Sequence, residues 1–223
     1  MTDETSSKST SFFDLLTNWL ISLPTDVKIL IEMIGDDALE MKARTLAVGT
    51  VVYILTPIDL IPDKLAVLGY IDDVIILRIV LAVITEIDPD RAKYYRVKYP
   101  ATFESLEQQI QILKETLGAL YSWLRTLIDR LPKRRYQGKP AEEIVNSEET
   151  QEEMFDETME YVANIDTNSK AIQDALLATP PNRIIELISS GLEKEQKLEQ
   201  KSQTGKQISA SMDKFRKLLG RGE

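Results

Sequence analysis

The chain has 223 residues, 43% of them apolar and 28% charged, enough for one domain or two small ones. It contains neither cysteine nor histidine, which excludes disulfides, thiolate or imidazole metal sites, cysteine nucleophiles and Ser-His-Asp triads. The formal net charge of −9 argues against a nucleic-acid binder, which presents a basic face.

Any chemistry must therefore rest on carboxylates, Lys, Tyr, Ser or Thr, or on a hard cation held by oxygen ligands. The first ten residues, MTDETSSKST, lack the basic run of a secretory signal and are expected to form a flexible, untargeted terminus over 1–10.

The apolar spacing is helical almost throughout and predicts an all-α fold; neither an alternating strand nor an Asn-Gly hairpin turn stands out. Residues 11–23 place Phe12, Leu15, Leu16, Trp19, Leu20 and Leu23 on one face of an amphipathic helix. Pro24 suits the first position of a second helix, which Gly35 closes. A third helix opens on Asp36 and Asp37 and becomes uncharged from Thr45 to Ile58. After an aspartate-rich connection, DVIILRIVLAVITEI forms a second apolar leg that runs up to Pro89.

Residues 100–131 carry the clearest periodicity. Phe103, Leu106, Ile110, Leu113, Leu117, Leu120, Leu124, Leu127 and Leu131 follow 3-4 spacing without a miss. They predict one long helix of about 45 Å, at about 1.5 Å per residue. Leu106, Ile110, Leu113, Leu117, Leu120, Leu124 and Leu127 are its expected interaction face, either inside the protein's own bundle or in a coiled coil with a partner or a second copy.

Residues 132–140, with Pro132, Gly138 and a basic cluster, read as a linker. An acidic helical region follows over 141–192; its segment 141–166 holds ten acids and no base. Short helices are expected at Ser169–Thr179 and Pro181–Ser190. The remainder, 193–223, is a charged spacer and a basic amphipathic tail with Ile208, Met212, Phe215 and Leu219 at helical spacing. The basic cluster and the tail could face anionic lipid, or the oppositely charged segments could attract within the chain.

The connection TPIDLIPDKLAVLGYIDD (56–73) concentrates four aspartates, Asp59, Asp63, Asp72 and Asp73. Thr56, Pro57 and Asp59 suit a new helical turn, Pro57 and Pro62 stop the preceding helix, and Gly69 permits a tight turn. Asp72 or Asp73 is then the N-cap of the second leg. Alternatively the four carboxylates converge and need Mg²⁺, Ca²⁺ or nearby bases to neutralise them. They are the candidate metal ligands, and the weaker candidates for a catalytic pair.

Residues 23–84, and in them Tyr53, Pro57, Asp59, Pro62, Asp63, Gly69, Tyr70, Asp72 and Asp73 at their spacing, resemble the YkvA-like domain of unknown function. The resemblance covers little more than a quarter of the chain; the helical domain that carries it is expected over 11–98, and nothing after about residue 98 resembles the family. It implies a helical architecture and frequent membrane association, and similar domains occur in bacterial proteins and in some membrane-embedded ubiquitin ligases. It implies no activity.

Neither leg spans a bilayer comfortably. The first is uncharged over fourteen residues where roughly 20 are needed, and Arg78 interrupts the second. The physical argument favours a buried or shallow hairpin, whereas the resemblance favours attachment to a membrane on its cytoplasmic side. The sequence thus predicts a hairpin-centred helical bundle acting as a non-enzymatic, membrane-associated scaffold or adaptor without a cofactor. Its rivals are a carboxylate- and cation-dependent hydrolase of a lipid or phosphate substrate and a soluble cytoplasmic interaction module.

Overall fold

The computed structural model describes residues 3–56, 60–61, 68–165 and 167–197. The chain is all-α, with one two-stranded ribbon among the described residues. Its helices are α1 (Asp3–Ile34), α2 (Met41–Leu55), α3 (Ile71–Ile87), α4 (Pro89–Lys98), α5 (Pro100–Phe103), α6 (Leu106–Leu117), α7 (Ala119–Ile128), α8 (Ala141–Ile144), α9 (Glu148–Ala163) and α10 (Ser169–Leu177). A further helix, α11, covers residues 181–197, the last of the described residues. Residues 131–133 make a 3-10 turn, and strands β1 (Arg135–Tyr136) and β2 (Lys139–Pro140) follow it.

The two apolar legs are the centre of the molecule. Every residue of α2 from Ala43 to Ile54 is buried, and so is every residue of α3 from Ile71 to Leu81. A helix apolar on all sides must be enclosed, by lipid or by protein; here protein does it. α1 lies against both legs, α6 and α7 flank α3, and the 131–133 turn, α8 and α9 flank α2. α9 and α10 also pack on α1, so segments from both ends of the sequence close over the hairpin.

Five local expectations change. The helix expected to open on Asp36 and Asp37 begins at Met41, after a turn over 35–40. α1 begins at Asp3 and runs through Pro24, so residues 3–10 are helical and there is one helix where two are predicted. An interior proline costs about 3 kcal/mol. The buried stripe Leu16, Leu20, Leu23, Val27, Leu30 and Ile34 continues past Pro24 without a change of face, and its burial outweighs that cost. The 100–131 stretch is not one helix. It breaks at residues 104–105 and again at Gly118, whose φ of +54° is left-handed.

The 132–140 stretch is a folded turn and hairpin, with Arg135 opposite Pro140 and Tyr136 opposite Lys139. Gln137 and Gly138 take φ of 50° and 82° at its tip, the pair of positive angles that a two-residue hairpin loop requires. Finally, the N-cap of α3 is Tyr70, not Asp72 or Asp73. The tail helix predicted around Ile208–Leu219 lies outside the described residues.

Gly49 allows α2 to touch the 131–132 turn. A Cβ there would stand 2.2 Å from the Leu131 carbonyl oxygen, and backbone cannot swing aside as a side chain can. Alanine gains up to about 1 kcal/mol of helix propensity, yet Gly49→Ala should lower stability by about 1–3 kcal/mol through overpacking. A urea midpoint equal to that of the parent protein would contradict the contact.

Candidate functional site

The hairpin's open end joins the last turn of α2 to the first turn of α3. Tyr53, near the end of α2, is fully buried. Asp72 and Asp73, in the first turn of α3, are 1% and 2% exposed. That turn suits carboxylates because its free N–H groups carry partial positive charge. Asp72 Oδ2 accepts hydrogen bonds from Tyr53 Oη at 2.9 Å and the Leu60 amide at 2.8 Å, and a longer one from the Ile61 amide at 3.4 Å. Asp73 Oδ2 accepts from Tyr161 Oη of α9, whose ring meets Tyr70 edge to face at 5.9 Å.

The two adjacent aspartates therefore do different things. Asp72 pins the connection to the hairpin, and Asp73 pins α9 to it. Burial pushes the Asp72 carboxyl up to about 6, against the opposing pull of its hydrogen bonds. Burial, followed by the charges of Asp72 and Asp73, drives the Tyr53 hydroxyl well above its ordinary range, so it stays protonated and donates. Over the Tyr53 ring, at 5.0 Å, sits the Arg134 guanidinium, which binds Glu195 of α11 at 2.6 Å.

A second polar knot lies midway along α3. Arg78 is 2% exposed and pairs with fully buried Asp26 of α1 at 2.7 Å. The same guanidinium donates to Ser22 Oγ at 2.6 Å and to the Thr102 carbonyl at 3.1 Å, and Thr102 Oγ1 donates to Asp26 at 3.0 Å. Trp19 lies beside Arg78, with its ring centroid 5.7 Å away, and donates to Gln109 of α6 at 2.7 Å. Burial raises the Asp26 carboxyl although Arg78 pulls it down, and burial lowers Arg78 although Asp26 pulls it up. This knot ties α1, α3, α5 and α6 together.

Of the signature residues, the structure brings together Tyr53, Asp72 and Asp73; Gly69 is buried and Tyr70 half-buried beside them. Pro57, Asp59, Pro62 and Asp63 lie outside the described residues. Among the described residues no group of three or more acids is placed to hold a metal ion. The heptad leucines Leu106, Leu113, Leu117, Leu124 and Leu127, with Ile110, are buried in the protein's own core, and Leu120 is half-buried. No helix among the described residues is long and apolar enough to cross a membrane.

Asp26, Ser22, Thr102, Arg134 and Tyr161 have no place in the sequence-level site. One signal was available for Asp26: it stands between Leu23 and Leu30 on the apolar face of its helix, where an isolated acid needs a cation. A groove of about 340 Å³ opens elsewhere, among α2, α3 and α7. Leu46, Val83, Ile87, Ile128 and Pro132 line it, with Lys42, Glu86, Arg125 and Asp129 around them.

These features define an all-α protein organised on a buried hairpin whose few polar groups bond within the chain. A model of a family described as a protein of unknown function, DUF1232, matches residues 43–79. The match takes in α2, the connection and the first half of α3, and so includes Tyr53, Asp72, Asp73 and Arg78. It falls inside the stretch that carries the YkvA-like resemblance and assigns no activity. No curated protein and no solved structure matches the chain.

Proposed function

We propose that this protein is a non-enzymatic helical scaffold or adaptor that meets its partners with the outer surface of a preformed fold. The support is the use made of the signature's polar groups. Tyr53, Asp72 and Asp73 are almost without solvent exposure, and their hydrogen bonds go to the chain's own backbone and tyrosines. Arg78 is likewise engaged by Asp26. A hydrolase needs its carboxylates at a surface the substrate reaches; Asp72 and Asp73 instead hold secondary structure together.

The hairpin is structural in this reading. Its apolar surface is already covered by α1, α6, α7 and α9, so lipid has nothing to gain from it unless those helices leave. Association with a membrane then runs through surface charge or a bound partner. Alkaline carbonate extraction of the untagged protein tests this. The protein should be recovered in the extract; retention in the membrane pellet would mean that residues 41–87 partition into the bilayer, and would sink the reading.

A further inference from the structure

The groove of about 340 Å³ among α2, α3 and α7 lies at the opposite end of the hairpin from Tyr53, Asp72 and Asp73. Leu46 of α2, Val83 and Ile87 of α3 and Ile128 of α7 give it apolar walls. Two acids stand at its rim. Glu86 has 69% of its side chain exposed and meets Arg125 only at 4.0 Å, and Asp129 is exposed. Lys42 shares that rim. An apolar interior under a charged rim is the chemistry that receives an amphipathic helix.

α11 ends close by and points at it. Gly191 sits on the Leu60 backbone, past the end of α2, where a Cβ would stand 2.2 Å from the Leu60 carbonyl oxygen. One turn later Glu195 binds Arg134 at 2.6 Å, and Arg134 lies over the Tyr53 ring at 5.0 Å. α11 therefore runs back along α2, from beyond its C-terminus toward its start. The next landmark in that direction is Gly49, against which Leu131 and Pro132 pack. Leu46 follows, and Pro132 itself lines the groove. From Tyr53 to Leu46 is about 10 Å of helix, at about 1.5 Å per residue.

Beyond α11 the sequence continues with a spacer, 198–206, and the amphipathic segment 207–220. The spacer reaches up to about 30 Å when extended, well over the distance needed. Ile208, Met212, Phe215 and Leu219 recur at i, i+4, i+7 and i+11, the spacing of anchors on a helix laid into a groove. The segment carries three bases, Lys214, Arg216 and Lys217, against one acid, Asp213, whereas the chain as a whole carries −9. We propose that the groove is the docking site of the chain's own segment 207–220, with Met212 and Phe215 seated among the apolar walls and the bases toward Glu86 and Asp129. The tether supplies this segment at about millimolar effective concentration, ahead of a second copy in dilute solution. The docked segment covers the groove, so a protein that binds there must displace it. The docking is a property of the chain alone and does not rest on the adaptor reading.

Paramagnetic broadening on the full chain tests it. The chain has no cysteine, so Ser209→Cys supplies a single thiol for a nitroxide label. Amides of Leu46, Glu86 and Ile128 should lose most of their intensity relative to the reduced label, and the strongest losses in α2, α3 and α7 should fall around the groove. Phe215→Asp in the labelled chain should restore those intensities, and Glu86→Lys with Asp129→Lys, both on exposed rim positions, should restore part of them. Strongest broadening on another face would overturn the proposal, and so would broadening at the groove that survives either set of substitutions. A mixture of labelled chain with unlabelled, isotope-enriched chain should show no broadening at the groove. Broadening there would make a second copy the occupant and would overturn docking within one chain.

Discussion

Arg78→Leu should destabilise the protein by about 3–5 kcal/mol, because it strands a buried carboxylate. For a domain of this size that is a fall in Tm of about 6–20 °C. Asp26 then keeps Thr102 Oγ1 and Ser22 as partners but loses its counter-charge, and the Thr102 carbonyl loses its donor. The deficit should depend on pH. Asp26 already sits above its ordinary value of 3.8 because of burial, and removing Arg78 takes away the attraction that holds it down. The folded variant binds a proton at Asp26 more tightly than its unfolded chain, so it gains stability as pH falls and loses it as pH rises. Replacing both partners with leucine should recover most of the loss, since a buried ion pair and an apolar pair of similar volume are close in energy. Urea titrations at pH 5 and pH 8 on the two single variants and the double variant measure all of this. Equal, small losses in both single variants would mean that the pair is solvated.

The second large effect separates two leucines that the 3-4 repeat makes equivalent. Leu113→Ala should cost about 2–5 kcal/mol, the range for a leucine truncated in a packed core, because Leu113 has no exposed surface. Leu120→Ala should cost less than about 1 kcal/mol, as for a side chain that keeps part of its hydration; Leu120 is half-buried at the start of α7. A seam between two chains would make both positions count alike and would make the loss depend on protein concentration. Chemical denaturation at two concentrations checks this, and a midpoint that moves with concentration would restore the intermolecular reading.

The reason for that difference also marks how far the sequence is legible. The repeat picks out the right buried leucines in α6, but it assumes a continuous helix. Gly118 interrupts it with a left-handed residue, after which Ile128 joins Leu124, Leu127 and Leu131 in the core. The two apolar legs are readable because a long, strongly apolar run has to be enclosed by something. What encloses them is not readable, since α1 and α9 come from opposite sides in the sequence. Pro24 misleads because its local preference for a helix start is overridden by a stripe that stays buried on both sides of it. The ribbon at Gln137-Gly138 is too short to show alternation, although a glycine after a polar residue is a usable turn signal. Asp72 is readable as an acid at a helix start, though not as a buried one. Its partners, the Tyr53 hydroxyl and the Leu60 and Ile61 amides, are invisible to a capping argument that considers only the following helix.

The enclosure of the hairpin has a consequence during synthesis. Translation completes α3 at Ile87 and α9 at Ala163, about 76 residues later. At about 5–20 residues per second, the face that α9 will cover stays uncovered for roughly 4–15 s after the hairpin has been made. During that interval the nascent chain offers two consecutive apolar helices of 15 and 17 residues to whatever is nearby, a chaperone or a bilayer. A messenger truncated before codon 163 would fix the chain in that state. The matched 43–79 segment made alone would never leave it, so its product should aggregate where the full chain folds.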